Sequence, residues 1–351
     1  MDCSFQGLVE LHKSQMDFAL RSVIDAILKN SELELTLIRI SNVTDDSLFV
    51  SIEALVTKTG PASATLSPMS ISLCGPSGSF GHLTLPQIKT CPSGAPLLVT
   101  NQHVRITSIP ALLSFISPIV RAPQATLSLR GGHTSVRALG ARPQPLVYAK
   151  DVALRGMGGP SVAVQSCVFS PLANSSRSDN SNSVVLVLRV CNPSPMEISF
   201  GTCSFDVLDG GGDDAELVYL ELKGRLDLRR GAFKASVQGT LVCRPALVAA
   251  GEACRDGARE EDTVARLVGK RCAGAAWCDE TVKGIDVPLK GMGKVFRALG
   301  VEYGEPEMPQ ASELEEKSKG DEIEEMAAAT DGGSSGGSGG GGGWKSKLWK
   351  W

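Results

Sequence analysis

Four histidines are the first residues to weigh for acid–base or metal chemistry: His12, His82, His103 and His133. Each stands alone, with no glutamate or second histidine at the spacing a metal site needs. No serine sits in a Gly-x-Ser-x-Gly elbow between a strand and a helix. Gly156-Met157-Gly158-Gly159 and Gly291-Met292-Gly293-Lys294 invite comparison with a phosphate loop. That loop requires Gly-x-x-x-x-Gly-Lys-Ser/Thr at a strand-to-helix turn. Here Lys294 is followed by Val295, and Pro288 occupies the position of the first glycine, so both stretches read as strand-end turns.

The remaining reactive side chains point the same way. Asp45-Asp46 and Asp213-Asp214 fall in expected turns, where aspartate bonds its own backbone, and no EF-type calcium loop surrounds them. The ten cysteines contain no C-x-x-C pair, which argues against a zinc ribbon or a dithiol redox site. Cys243, Cys254, Cys272 and Cys278 gather in the last third and are expected as buried or free thiols. Asn42-Val43-Thr44 and Asn174-Ser175-Ser176 fit the glycosylation pattern, but Asn42 reads better as a turn residue matching Asn192. The expectation is therefore no catalytic residue, no cofactor and no metal.

One local feature favours an interface. The chain ends Trp344-Lys345-Ser346-Lys347-Leu348-Trp349-Lys350-Trp351. As a helix it would place Trp344, Leu348 and Trp351 on one face, a pattern suited to an anionic membrane surface. Eight residues do not hold a helix alone in water, so weak, reversible contact through Trp344, Lys345, Lys347, Leu348, Trp349, Lys350 and Trp351 is the expected role.

Composition bounds the scaffold that carries these residues. With 351 residues, 42% of them hydrophobic, the chain is long enough for two cores, and a formal net charge of −3 lacks the basic excess of a nucleic-acid binder. No apolar run approaches the ~18–20 residues that cross a bilayer. Met1-Asp2-Cys3-Ser4 opens no basic segment leading into an apolar one, so no secretory signal is visible. Aromatic residues make up 5%, and turn residues recur every ten or so positions, which favours many short strands and an all-β class.

Phe5 to Leu28 carries apolar residues at near-helical spacing and reads as an amphipathic helix. Leu48, Val50, Ile52, Ala54 and Val56 alternate with largely polar neighbours, as do Met69, Ile71 and Leu73, so each strand offers one face to a core. A helix is expected at Ile109 to Val120, and strands at Ala125–Leu129 and His133–Leu139. In the second half, Leu186 to Leu208 reads as a strand, a turn at Asn192-Pro193-Ser194-Pro195, and a strand paired as a hairpin. Strands at Leu217–Leu222 and Thr240–Cys243, a helix from Glu260 to Val268 and a strand from Thr281 follow.

Three segments echo earlier ones in order. Arg39-Ile40-Ser41-Asn42 is echoed by Arg189-Val190-Cys191-Asn192, Ser135–Leu139 by Thr281–Ile285, and Val152–Gly158 by Val287–Gly293. This reads as an internal repeat of one β unit. The expected organisation is an N-terminal amphipathic helix over 1–32, a first sandwich over 33–158 and a second over 159–303. An acidic, Gly/Ser-rich tail over 304–351 is expected to be disordered.

Ser63–Met69, Leu83–Thr90, Lys150–Met157 and Asn192–Pro195 with Gly201–Asp206 resemble a fungal family of uncharacterised proteins, itself similar to the late-embryogenesis-abundant type 2 (water-stress) β-sandwich. The resemblance covers roughly Val23 to Gly293. It implies tandem immunoglobulin-like sandwiches, usually set behind a membrane-spanning helix at fungal endomembranes such as the vacuole; the repeat read from the sequence adds one short inserted helix to each. It carries no catalytic residues. The expected function is a non-enzymatic, membrane-proximal protein binding lipid or another apolar ligand between sheets or along a sandwich opening. The alternative is a protein-interaction scaffold, with a hydrolase or transferase third.

Overall fold

The structure, a computed structural model, describes residues 30–60, 63–138, 142–171, 182–210 and 217–301. All of these belong to one compact unit. The expected helix at Phe5–Leu28, the tail with its terminal octapeptide, His12, Asp213-Asp214 and Asn174 lie outside the described residues.

Strands dominate, as the alternation predicts. In the first half β1 (Glu32–Ser41), β2 (Ser47–Thr57) and β7 (Ala95–Arg105) pair in that order, with Leu48, Val50, Ile52, Ala54 and Val56 of β2 all buried. A second sheet holds β3 (Ala64–Leu66), β4 (Met69–Gly75), β5 (Gly78–Leu85), β6 (Ile88–Thr90), β8 (Gln124–Ala138) and β9 (Gln144–Arg155). The two strands expected around Leu129 and His133 are one strand, β8, whose register against β9 shifts between Leu129 and Gly132.

Helix α1 (Ile109–Arg121) forms where its spacing predicts. Ser108 Oγ accepts from the Ala111 amide at 3.3 Å, Pro110 sits in the first turn, and Leu112, Phe115, Ile116, Ile119 and Val120 are buried. That stripe packs on β4, β5 and β8.

The second half departs from the expected sandwich. Its strands are β10 (Ser161–Pro171), β11 (Asn182–Asn192), β12 (Met196–Asp209), β13 (Val218–Leu228), β14 (Gly231–Leu241), β15 (Ala265–Cys272) and β16 (Asp286–Lys290). They run β13-β14-β11-β10-β16-β15-β12, and β12 pairs again with β13, closing a seven-stranded barrel. All pairs are antiparallel except β10 with β16. A closed ring has no free edge to manage, which an open sandwich must.

The Leu186–Leu208 hairpin does not form. Strand β11 pairs with β10 and β14, whereas β12 pairs with β13, β15 and β1. Asn192 is fully buried. Its Oδ1 accepts from the Ser194 amide at 2.9 Å and its Nδ2 donates to the Met196 carbonyl at 2.8 Å. Those bonds hold an arch that carries the chain from one neighbour set to another. Asn42, its echo, takes a left-handed φ of 47° in the tight β1–β2 turn. The echoed segments do not pair with each other: Arg189–Asn192 lies on β11 between β10 and β14, whereas β1 pairs in parallel with β12 at Ile38–Met196 and Ile40–Ile198, with Arg39 bonded to Glu197 at 2.8 Å. One ten-stranded sheet therefore runs through both halves.

Two further expectations fail for packing reasons. Glu260–Val268 forms a 3₁₀ turn at Glu261–Thr263 and then enters β15, because β12 and β16 offer ladders on both sides. Thr281–Ile285 is not a strand: α3 (Ala276–Val282) buries Trp277, Cys278, Thr281 and Val282 at helical spacing. The second half also holds α2 (Arg244–Arg255) and α4 (Gly293–Ala298), making three α-helices among its described residues where one was expected.

Candidate functional site

Helix α1 ends against the linker that joins the halves. Amides of Met157, Gly158 and Gly159 donate to the carbonyls of Ile119, Ala122 and Val120 at 2.6, 3.0 and 2.9 Å. Helix-end carbonyls that would otherwise lack partners are thus satisfied. A Cβ on Gly156 would stand 2.0 Å from the Ala122 carbonyl oxygen, and Gly158 and Gly159 take φ of 63° and 80°. The Gly-Met-Gly-Gly stretch is therefore a helix stop, in keeping with its reading as a strand-end turn.

This junction opens into a cleft of about 590 Å³. One wall is Arg121 at the end of α1, a second is Gly158–Ser161, and the third comes from Lys283, Gly284, Asp286, Val287, Pro288 and Lys290. Most of its charges are matched. Lys283 bonds Asp279 and Glu280 at 3.0 and 2.8 Å, Lys290 bonds Asp262 at 2.9 Å, and Asp286 bonds Arg266 at 2.8 Å. Arg121 is exposed and pairs with no carboxylate among the described residues. Its guanidinium lies over Gly284, where a Cβ would stand 2.7 Å from Nε. The cleft thus presents one uncommitted cation beside Val287, Pro288 and Pro160, chemistry suited to an anion with an apolar part.

The interiors offer far less room. A void of about 20 Å³ lies between the first-half sheets, among Ile40, Leu73, Phe80 and Phe115. One of about 30 Å³ lies inside the barrel among Val162, Leu188, Leu226 and Leu267. Each has room for a water or two, at ~10–15 Å³ of free volume apiece.

Among the described residues the sequence-predicted reactive side chains do not converge. His82 Nδ1 lies 3.2 Å from Ser72 Oγ, His103 meets Phe49 edge-on at 5.3 Å, and His133 is exposed on β8. Among the described residues no three His, Cys, Asp or Glu side chains are placed to hold a metal ion. Asp46 accepts from Thr44 Oγ at 2.7 Å, as a turn residue should, while Asp45 reaches outward to the Ala276 amide at 2.7 Å.

Three thiols do meet. Cys203 and Cys272 are register partners across β12 and β15, and Cys278 of α3 joins them, all three buried. Burial pushes the Cys203 and Cys278 thiols well above the usual range, and the neighbouring Cys272 adds to it. Cys272 Sγ donates to the Phe200 carbonyl at 2.9 Å. Inert packing is the chemistry this environment supports. The expected grouping of the last-third cysteines holds for Cys272 and Cys278; Cys203 entered it from another strand without a signal in its spacing.

Residues 78–207 match a family described as a protein of unknown function (DUF3712), a segment running from β5 into β12 and including Arg121 and Gly158–Ser161. No curated protein matches the chain. No helix among the described residues is long and apolar enough to cross a membrane.

Proposed function

We propose that this protein is a non-catalytic binding module that works beside a membrane and takes an anionic, partly apolar ligand in the junction cleft. The contrast in free volume carries the reading: about 590 Å³ at the junction against about 20 and 30 Å³ inside the two cores. A lipid therefore meets the protein at the cleft, not between sheets. Arg121 supplies the charge contact, and Val287 and Pro288 accept the first methylenes, at ~0.8 kcal/mol for each one buried. The scattered histidines support the non-catalytic part, and the terminal Trp/Lys segment supports the membrane setting. The resemblance to a fungal family of uncharacterised proteins, itself similar to the water-stress β-sandwich, supports an endomembrane address.

Native mass spectrometry of protein purified with its lipids tests the reading. A bound anionic lipid that is lost in Arg121→Glu is the expected result. A lipid-free preparation that also refuses labelled lysophosphatidate would overturn it. The scaffold alternative is favoured by one observation: Val168 and Val185, exposed by 57% and 41%, stand directly opposite each other on the outer barrel surface.

A further inference from the structure

The barrel is not evenly sealed. Strands β13 and β14 share a ladder only between Leu220–Leu241 and Gly224–Val237. Beyond Gly224, β13 continues along β12 while β14 continues along β11 to Asn192–Gly231. The seam parts at the end nearest the β13–β14 turn, above buried Leu226, Leu228, Ala235 and Val237.

Around that seam stand Arg189, Lys223, Arg225, Arg229, Arg230 and Lys234, all exposed. Arg189 of β11 is the direct register partner of Lys234 on β14. Like charges placed so are mutually destabilising, and neither residue holds an ion pair among the described residues. Of the set, Arg225 is neutralised by Asp227 at 2.8 Å, and Arg230 Nη1 donates to the Thr36 carbonyl at 2.8 Å. A chain of net charge −3 thus concentrates positive charge on one end of its barrel.

We propose that this barrel end docks on an anionic phospholipid surface, Arg189, Lys223, Arg229 and Lys234 meeting headgroup phosphates and carboxylates and the parted seam facing the bilayer. The inference shares the membrane setting of the proposed function but rests on different residues, so the two fail separately. Each cation brought to such a surface strengthens binding about fivefold, and the attraction falls within a Debye length as salt rises.

Co-sedimentation of the full chain with phosphatidylcholine vesicles, and with vesicles that also carry phosphatidylserine, tests it. Binding to the second kind alone, lost at high salt, is expected. Arg189→Gln with Lys234→Gln should weaken it about thirtyfold, and the corresponding double change to Glu should abolish it. Lys89→Glu with Arg137→Glu, an equal charge change on the first half, should leave most of it. The glutamine pair, checked by thermal unfolding, guards against loss of fold in the reversed variant. Removal of residues 332–351 should preserve the dependence on Arg189 and Lys234. The proposal is overturned if that removal abolishes vesicle binding while the double variants do not. Equal binding to both vesicle types, or face-dependent binding to an acidic peptide but not to vesicles, would also overturn it. Loss of cleft ligand in Arg121→Glu with vesicle binding intact would leave docking standing and confirm that the two sites are separate.

Discussion

Asp45 Oδ1 accepts a 2.7 Å hydrogen bond from the amide of Ala276, 231 residues further along the chain. The acceptor lies in the β1–β2 turn and the donor opens α3, whose own N-cap residue, Ala275, has no side-chain oxygen to offer. Next to it, the fully buried Trp277 donates from Nε1 to the Thr44 carbonyl at 3.1 Å. A helix of the second half is capped and anchored by a turn of the first.

Asp45→Ala should therefore behave as the loss of a helix cap, costing about 1 kcal/mol, although residue 45 lies in no helix. Trp277→Ala should cost about 3–5 kcal/mol through the cavity it leaves. Chemical denaturation of both single variants and the double variant measures the coupling. Strict additivity would mean that the turn and the helix are not held as one unit.

Gly284→Ala should weaken ligand binding in the cleft without unfolding the protein. Its methyl group would stand 2.7 Å from Arg121 Nε, so the flexible guanidinium must leave its seat. Fluorescent lysophosphatidate titration should show a loss comparable with that of Arg121→Gln, and a Gly284→Ala variant that binds as tightly as the parent would refute this seating.

Acid should destabilise the protein partly through Asp279. The Cys272 amide donates to Asp279 Oδ1 at 2.8 Å and, with Lys283 nearby, holds the carboxyl below its ordinary value of 3.8. A depressed folded value means the charged form stabilises the fold. That contribution is complete above the unfolded value and is lost as pH falls through the folded one. The stability gap between the parent and Asp279→Asn should be largest near neutrality and shrink below about pH 4. A gap unchanged from pH 7 to pH 2 would contradict it.

Thiol labelling should divide the cysteines by burial. Cys191 is exposed, whereas Cys203, Cys272 and Cys278 are buried, and the raised values at Cys203 and Cys278 leave little thiolate. At mildly alkaline pH a dithiobis reagent should modify Cys191 in the native protein and reach the buried three only as the fold opens. Mass mapping of the labelled peptides checks the order, and prompt labelling of Cys203 in the native protein would speak against the buried cluster.

What was legible in the sequence was local. Alternation at Leu48 through Val56 determined β2 and its buried face, and the spacing of Leu112, Ile116 and Ile119 after Ser108 and Pro110 determined α1. Both follow from side-chain periodicity, which is a property of neighbours along the chain. The all-β class followed too. Tertiary structure decided whom each strand pairs with. Nothing in Leu186–Leu208 says that its two strands must part, because a buried Asn192 and the empty place beside β1 exist only once the other strands are present. Ala265–Val268 became a strand and Thr281 part of a helix for the same reason: available ladders and the pocket for Trp277 outweighed weak local preference. The cleft was the least legible of all, since Arg121, Gly158 and Gly284 come from segments far apart in sequence and acquire a shared chemistry only where α1, the linker and the α3–β16 loop converge.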